Sequence, residues 1–120
     1  LAGKELWSIA LIAPVLVQPP VSGEEGCVYL VDNGCLRYIR NGEIKWSTPP
    51  IFGDRTCITV TGGNCALVLD GGMLYLYDPA GESIFKRLIS KEGDSFGIPP
   101  AVDPEGRIYV LSDKHLYCLE

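Results

Sequence analysis

The residues best suited to chemistry in this chain are one histidine, five cysteines and a scatter of aspartates. His115 and Cys118 form a His-x-x-Cys pair, a spacing at which two ligands could begin a metal site. The surrounding residues, Leu116, Tyr117, Cys118 and Leu119, read as a strand, and positions three apart on a strand point to opposite faces. Two donors also fall short of the three or four that zinc takes. Cys27 and Cys35, like Cys57 and Cys65, are eight apart, outside zinc-ligand spacing. A two-residue turn at Asn33-Gly34 sets Cys35 opposite Asp32 and Cys27 opposite Arg40. A similar turn at Gly62-Gly63 would set Cys65 opposite Val60, so neither pair is aligned for a disulfide. The cysteines read as structural thiols, with no metal and no cofactor implied.

Acid–base options are thin. Asp32 and Asp70 stand just before turns, where Asp is favoured for local hydrogen bonding. No carboxylate pair is set apart as general acid and base, and no Ser, His and Asp group can be assembled around a nucleophile motif. No Gly-x-Gly-x-x-Gly opens a helix to cradle a phosphate. The chain is therefore expected not to be an enzyme.

Composition narrows the partners. The 120 residues suffice for one domain, and 47% hydrophobic content with 14 Gly and 9 Pro suits a folded, turn-rich, all-β chain. The net charge of −5 and the lack of a basic stripe argue against nucleic acid and against an anionic membrane surface. The densest cations, Arg37, Arg40 and Lys45, read as a solvated strand face. The apolar run from Ile9 to Val17 is interrupted by Pro14 and is too short for a membrane helix; a buried strand explains it better. An odd cysteine count and the lack of an Asn-x-Ser/Thr sequon favour a reducing compartment, the cytoplasm.

The elements that position these residues repeat. Three ten-residue segments, 27–36, 65–74 and 107–116, align without a gap at offsets of 38 and 42. Each reads as strand, tight turn, strand, with turns at Asn33-Gly34, Gly71-Gly72 and Asp113-Lys114. Pro pairs at 19–20, 49–50 and 99–100 should mark where a strand begins, because proline cannot donate to a ladder. Second turns at Asn41-Gly42 and at Asp78 to Gly81 lead to fourth strands carrying Trp46 and Phe85, 39 residues apart. Trp7, 39 residues before Trp46, belongs to another such strand. A large ring there fills the gap between neighbouring units.

The expected layout is a single domain, 1–120, of about three four-stranded antiparallel β-propeller blades. It comprises a fourth strand near 3–10, blade 1 at about 13–48, blade 2 at about 49–90 and blade 3 at about 97–120.

The pattern of Trp7, Pro19-Pro20, Val28-Tyr29, Leu36, Gly42 and Trp46, repeated in Ile108-Tyr109 and Leu116-Tyr117, resembles the pyrroloquinoline-quinone-like (PQQ-like) repeat family. The resemblance departs in blade 2, where Phe85 replaces Trp and the first strand around Cys57 to Thr61 is unusually apolar. It implies a propeller, commonly of more blades than this chain holds. The family includes quinone-dependent dehydrogenases, an outer-membrane assembly lipoprotein and stress-sensor domains. The quinone enzymes carry an adjacent Cys-Cys pair that this sequence lacks, so no quinone cofactor is implied.

Two functional classes follow: a scaffold that binds proteins, or a small-molecule or quinone-binding sensor or enzyme using the channel. For the scaffold, the loop Ser90 to Gly97 offers Phe96 either to a partner or inward to the core. Three blades do not close a ring of the usual four to eight. Either the chain is part of a longer propeller protein, or copies associate: a homodimer by strand exchange would give about six, the N-terminal strand of one copy completing blade 3 of the other. The residues expected at that interface are Leu6, Trp7, Ile9, Leu116, Tyr117 and Cys118.

Overall fold

Three antiparallel sheets succeed one another along the chain. The computed structural model describes residues 2–12, 19–53, 55–89 and 93–120. The first sheet holds β1 (Val21–Ser22), β2 (Cys27–Asp32), β3 (Cys35–Arg40) and β4 (Glu43–Ser47), adjacent in that order. The second holds β5 (Cys57–Val60), β6 (Ala66–Asp70), β7 (Met73–Tyr77) and β8 (Ser83–Leu88). The third holds β9 (Ala101–Val102), β10 (Ile108–Leu111) and β11 (Leu116–Leu119). Every strand pairs with its sequence neighbour, so each sheet is a meander, and no described residue is helical. The chain is all-β and built of propeller blades.

Turn chemistry explains the registers. Asn33 and Gly34 have φ of 53° and 78°, and Gly71 and Gly72 have 57° and 92°, the left-handed pairs that a tight hairpin needs. They pair Asp32 with Cys35 and Asp70 with Met73 as the repeat predicts. Asp113-Lys114 joins Leu111 and Leu116 without positive φ. There the Ser112 hydroxyl accepts the Lys114 and His115 amides at 3.1 and 2.8 Å instead. The turn after β5 differs from expectation. It spans Gly62, Gly63 and Asn64, closed by Thr61 and Cys65, with Asn64 at φ 59°. The extra residue sets Val60 opposite Ala66 rather than Cys65.

Strand alternation divides the interior into two cores. Ala66 and Val68 face blade 1 with Tyr29, Tyr38 and Ile58, while Leu67 and Leu69 face blade 3 with Phe96 and Val110. Blade 2 therefore reads as a continuous apolar run in β6, where both faces are covered.

Three expectations need correction. Residues 2–12 form no strand, although one was expected near 3–10. They do not pair with the third strand of blade 1, because β3 is already bonded on both edges by β2 and β4. Pro19-Pro20 and Pro99-Pro100 do precede β1 and β9, but Pro49-Pro50 lies seven residues before β5, in a longer connection beside the Gly34 turn. Arg37 is not solvated: it is 8% exposed and its Nε lies 3.1 Å from Oδ2 of buried Asp32. The run 13–18, expected as part of a strand, lies outside the described residues.

Candidate functional site

The sixth position of each repeat, Asp32, Asp70 and Ser112, ties down the segment that leads into its blade. Asp32 accepts the Ile12 amide at 2.9 Å. Asp70 accepts the Gly53 amide at 3.3 Å and the Thr56 hydroxyl at 3.4 Å. Ser112 donates to Asp94 at 2.8 Å. These partners are 14 to 20 residues away in sequence, so the aspartates act over a longer range than the local turn bonding expected of them. In blade 1 the same carboxylate also pairs with Arg37, whose Nη1 reaches Ser47 Oγ at 2.8 Å. Such a buried pair is costly to break from one side, because the remaining charge is left without its partner.

Blade 3 replaces the carboxylate by a hydroxyl and places the acid in the loop. The side chain of Asp94 is fully buried and binds His115 Nδ1 at 2.8 Å, Ser112 Oγ and the Tyr117 hydroxyl. The expectation that no Ser, His and Asp come together is thus overturned. Their bonding order is nevertheless not that of an activated nucleophile. Ser112 and His115 both turn to the same Asp94 oxygen, whereas a triad needs the imidazole between hydroxyl and acid. Spacing alone gave no sign of this cluster, since Asp94 sits 21 residues before His115 in a loop without periodicity.

His115 and Cys118 do not converge: His115 shares a face with Tyr117, ring centroids 5.7 Å apart, and Cys118 is exposed. Cys27 and Cys57 are buried, Cys35 and Cys65 half-buried, and all five cysteines are free. Burial pushes the Cys57 thiol above its ordinary pKa. Among the described residues no three His, Cys, Asp or Glu gather as a metal site.

Phe96 points inward. It is 5% exposed, packs near Tyr117 with centroids 6.2 Å apart, and belongs to the core between blades 2 and 3. Of the two alternatives for this ring, the structure shows the inward one, and a partner contact at Phe96 would need the loop to open. Phe52 holds the equivalent role between blades 1 and 2, 7% exposed against Tyr75 and Tyr77, and sequence reasoning missed it.

Apolar side chains are exposed at both ends of the blade stack, and also along its outer strands at Ile44 in β4 and at Ile84 and Leu88 in β8. At one end Leu6 is 82% and Ile12 68% exposed, Trp7 is partly exposed and Ile9 half-buried. At the other, Leu116 is 69% exposed, and Leu111 and Cys118 share its outward face. Tyr117 turns inward with Leu119. Beside β11 a groove of about 740 Å³ opens between blades 2 and 3, walled by Leu74, Leu76, Phe85, Ile108 and Leu119.

No family model matches the chain, and no curated protein does either. Among solved structures it is similar to streptogramin B lyase, a β-propeller, at 14% identity and a TM-score of 0.57. The match covers 82% of this chain and 38% of that one, so the chain spans well under half of its neighbour's length. At that identity the likeness is one of fold, and it agrees with the blades described above.

Proposed function

We propose that this chain is a non-catalytic β-propeller scaffold of the PQQ-like repeat kind, which acts through protein–protein association that includes copies of itself. The supporting observation is the apolar surface at both ends of the stack, Leu6 and Ile12 at one and Leu111 and Leu116 at the other. A blade face left open presents strand edges and side chains that in a closed ring are covered. Charges placed there test the reading. Leu6→Lys and Leu116→Lys should each lower the associated fraction on a sizing column while the circular dichroism stays that of the parent. Unchanged association in both variants would contradict it.

A second reading, a small-molecule sensor or an enzyme domain, draws on the Asp94–His115 contact, where a buried acid orients a partly exposed imidazole. Quinone, calcium or a metabolite bound there must raise the melting temperature, and His115→Ala should remove the rise. No stabilisation across such a panel would leave the scaffold reading alone.

A further inference from the structure

Aromatic rings meet glycines at a 39-residue step. A Cβ on Gly42 would lie 2.9 Å from Trp7 Cγ, and one on Gly81 would lie 3.1 Å from Trp46 Cδ2. In each case the ring of one fourth strand lies on the turn that leads to the next. Gly3 is the third glycine of the series and shares their left-handed backbone, at φ 73° against 84° and 91°. Nothing lies within 4 Å of the Cβ it would carry, while Phe85, the third ring, borders the groove beside Leu119 and Glu120. The series thus leaves a glycine at one end of the molecule and a ring at the other.

We propose that β11 receives its fourth strand from residues 4–9 of a second copy, so that two copies close a ring of about six blades, within the usual four to eight. This rests on reading the open ends as association surfaces. The repeat gives the register. Trp46 stands opposite Tyr38 and Phe85 opposite Leu76, and the equivalent position in blade 3 is Cys118. Trp7 of the second copy therefore stands opposite Cys118, Ser8 opposite Tyr117 and Ile9 opposite Leu116. Both complete blades shift register just beyond the aromatic pair, at Tyr38/Ile39 and Leu76/Tyr77, so Glu5 comes opposite Leu119. The same seating brings Gly3 of the second copy to Phe85, filling the groove as Gly81 does beneath Trp46. Each copy gives one strand and receives one, so no edge of this kind is left over.

Directed cross-linking tests the register. Trp7→Cys, oxidised with copper phenanthroline, should give a covalent dimer on non-reducing gels that disappears when Cys118→Ser is added. Losing Trp7 can itself weaken docking, so the pair Ile9→Cys and Leu116→Cys in a Cys118→Ser background provides the same readout with the ring in place. Gly3→Val, whose Cβ meets nothing within 4 Å in its own chain but strains the left-handed backbone at φ 73°, should raise the dimer's dissociation constant about tenfold or more while leaving the three blades of the monomer folded. A dimer that cross-links in neither background overturns strand exchange but leaves association standing. A ladder of larger covalent species overturns ring closure, and a monomer at all concentrations overturns both.

Discussion

The junction between blades 1 and 2 and the junction between blades 2 and 3 are equivalent in the repeat, yet different chemistry fills them. The first is aromatic: Tyr29, Tyr38 and Trp46 from one blade meet Phe52, Tyr75 and Tyr77. Its rings also carry polar ends that bond across the gap, Trp46 Nε1 to Pro79 O at 2.8 Å and Tyr29 OH to Asn64 O at 2.6 Å. The second is aliphatic, built from Leu67, Leu69, Leu74 and Val110 around Phe96, and a groove borders it beside Phe85. Repetition preserves where each side chain points, while the filling of each gap is free to vary. Aromatic rings with polar ends hold two blades in one relative position. Aliphatic side chains bury area without fixing direction.

The contrast can be broken from its core outwards. The largest effect is expected at Phe96: Phe96→Ala should cost about 3–5 kcal/mol in urea denaturation, as deletion of a buried ring does. A near-neutral result would return Phe96 to the surface and remove the second core's centre. Next come the paired fourth-strand rings. Trp46→Ala should cost about 3 kcal/mol. Phe85→Ala should cost about 1 kcal/mol, because its ring is only partly covered and has no polar end. Equal costs would mean that the groove is packed as tightly as the aromatic junction.

Alkali separates the junctions by charge. Burial raises the pKa of Tyr29, Tyr75 and Tyr77, with the Tyr38 hydroxyl, the Asp70 charge and the Tyr75 hydroxyl respectively as the next causes. A tyrosine whose folded pKa is raised contributes fully below the ordinary value of 10.0 and loses that contribution as pH climbs above it. Stability should therefore fall above pH 10.0, with three of the tyrosines responsible lying at the aromatic junction. Tyr109, pushed up to about 12 chiefly by its hydrogen bond to Asp103 and then by burial, adds to the same loss from blade 3. Urea denaturation repeated from neutral pH to above pH 10.0, with tyrosinate absorbance followed alongside, reads the loss. A stability that stays constant while the tyrosines ionise would contradict it.

Much of this was legible in the chain. The 38- and 42-residue offsets, the Asn-Gly and Gly-Gly turns and the fourth-strand rings follow from local rules, since a left-handed turn accepts few residues and a strand alternates strictly. What escaped depends on contacts between distant segments. Arg37 looks like a surface cation until Asp32 and Ser47 are seen to enclose it. Asp94 belongs to no period, so its meeting with Ser112, His115 and Tyr117 had no sequence signal. Gly3 is the opposite case. Its place 39 residues before Gly42 was readable, but it gained meaning only when Trp7 was found lying on Gly42.

The smallest effect expected is in thiol reactivity. Cys118 should react first with a thiol reagent, Cys35 and Cys65 more slowly, and Cys27 and Cys57 only on unfolding, in line with their burial. Association should slow Cys118 selectively, since it lies on the strand that a second copy would cover.

The account stands most directly on the mass in solution, measured by light scattering on a sizing column over a range of concentrations. It predicts a species of twice the 13.0 kDa chain mass, stable on dilution. A well-behaved particle of 13.0 kDa at every concentration would contradict it, showing that the two open ends of the stack do not seek each other.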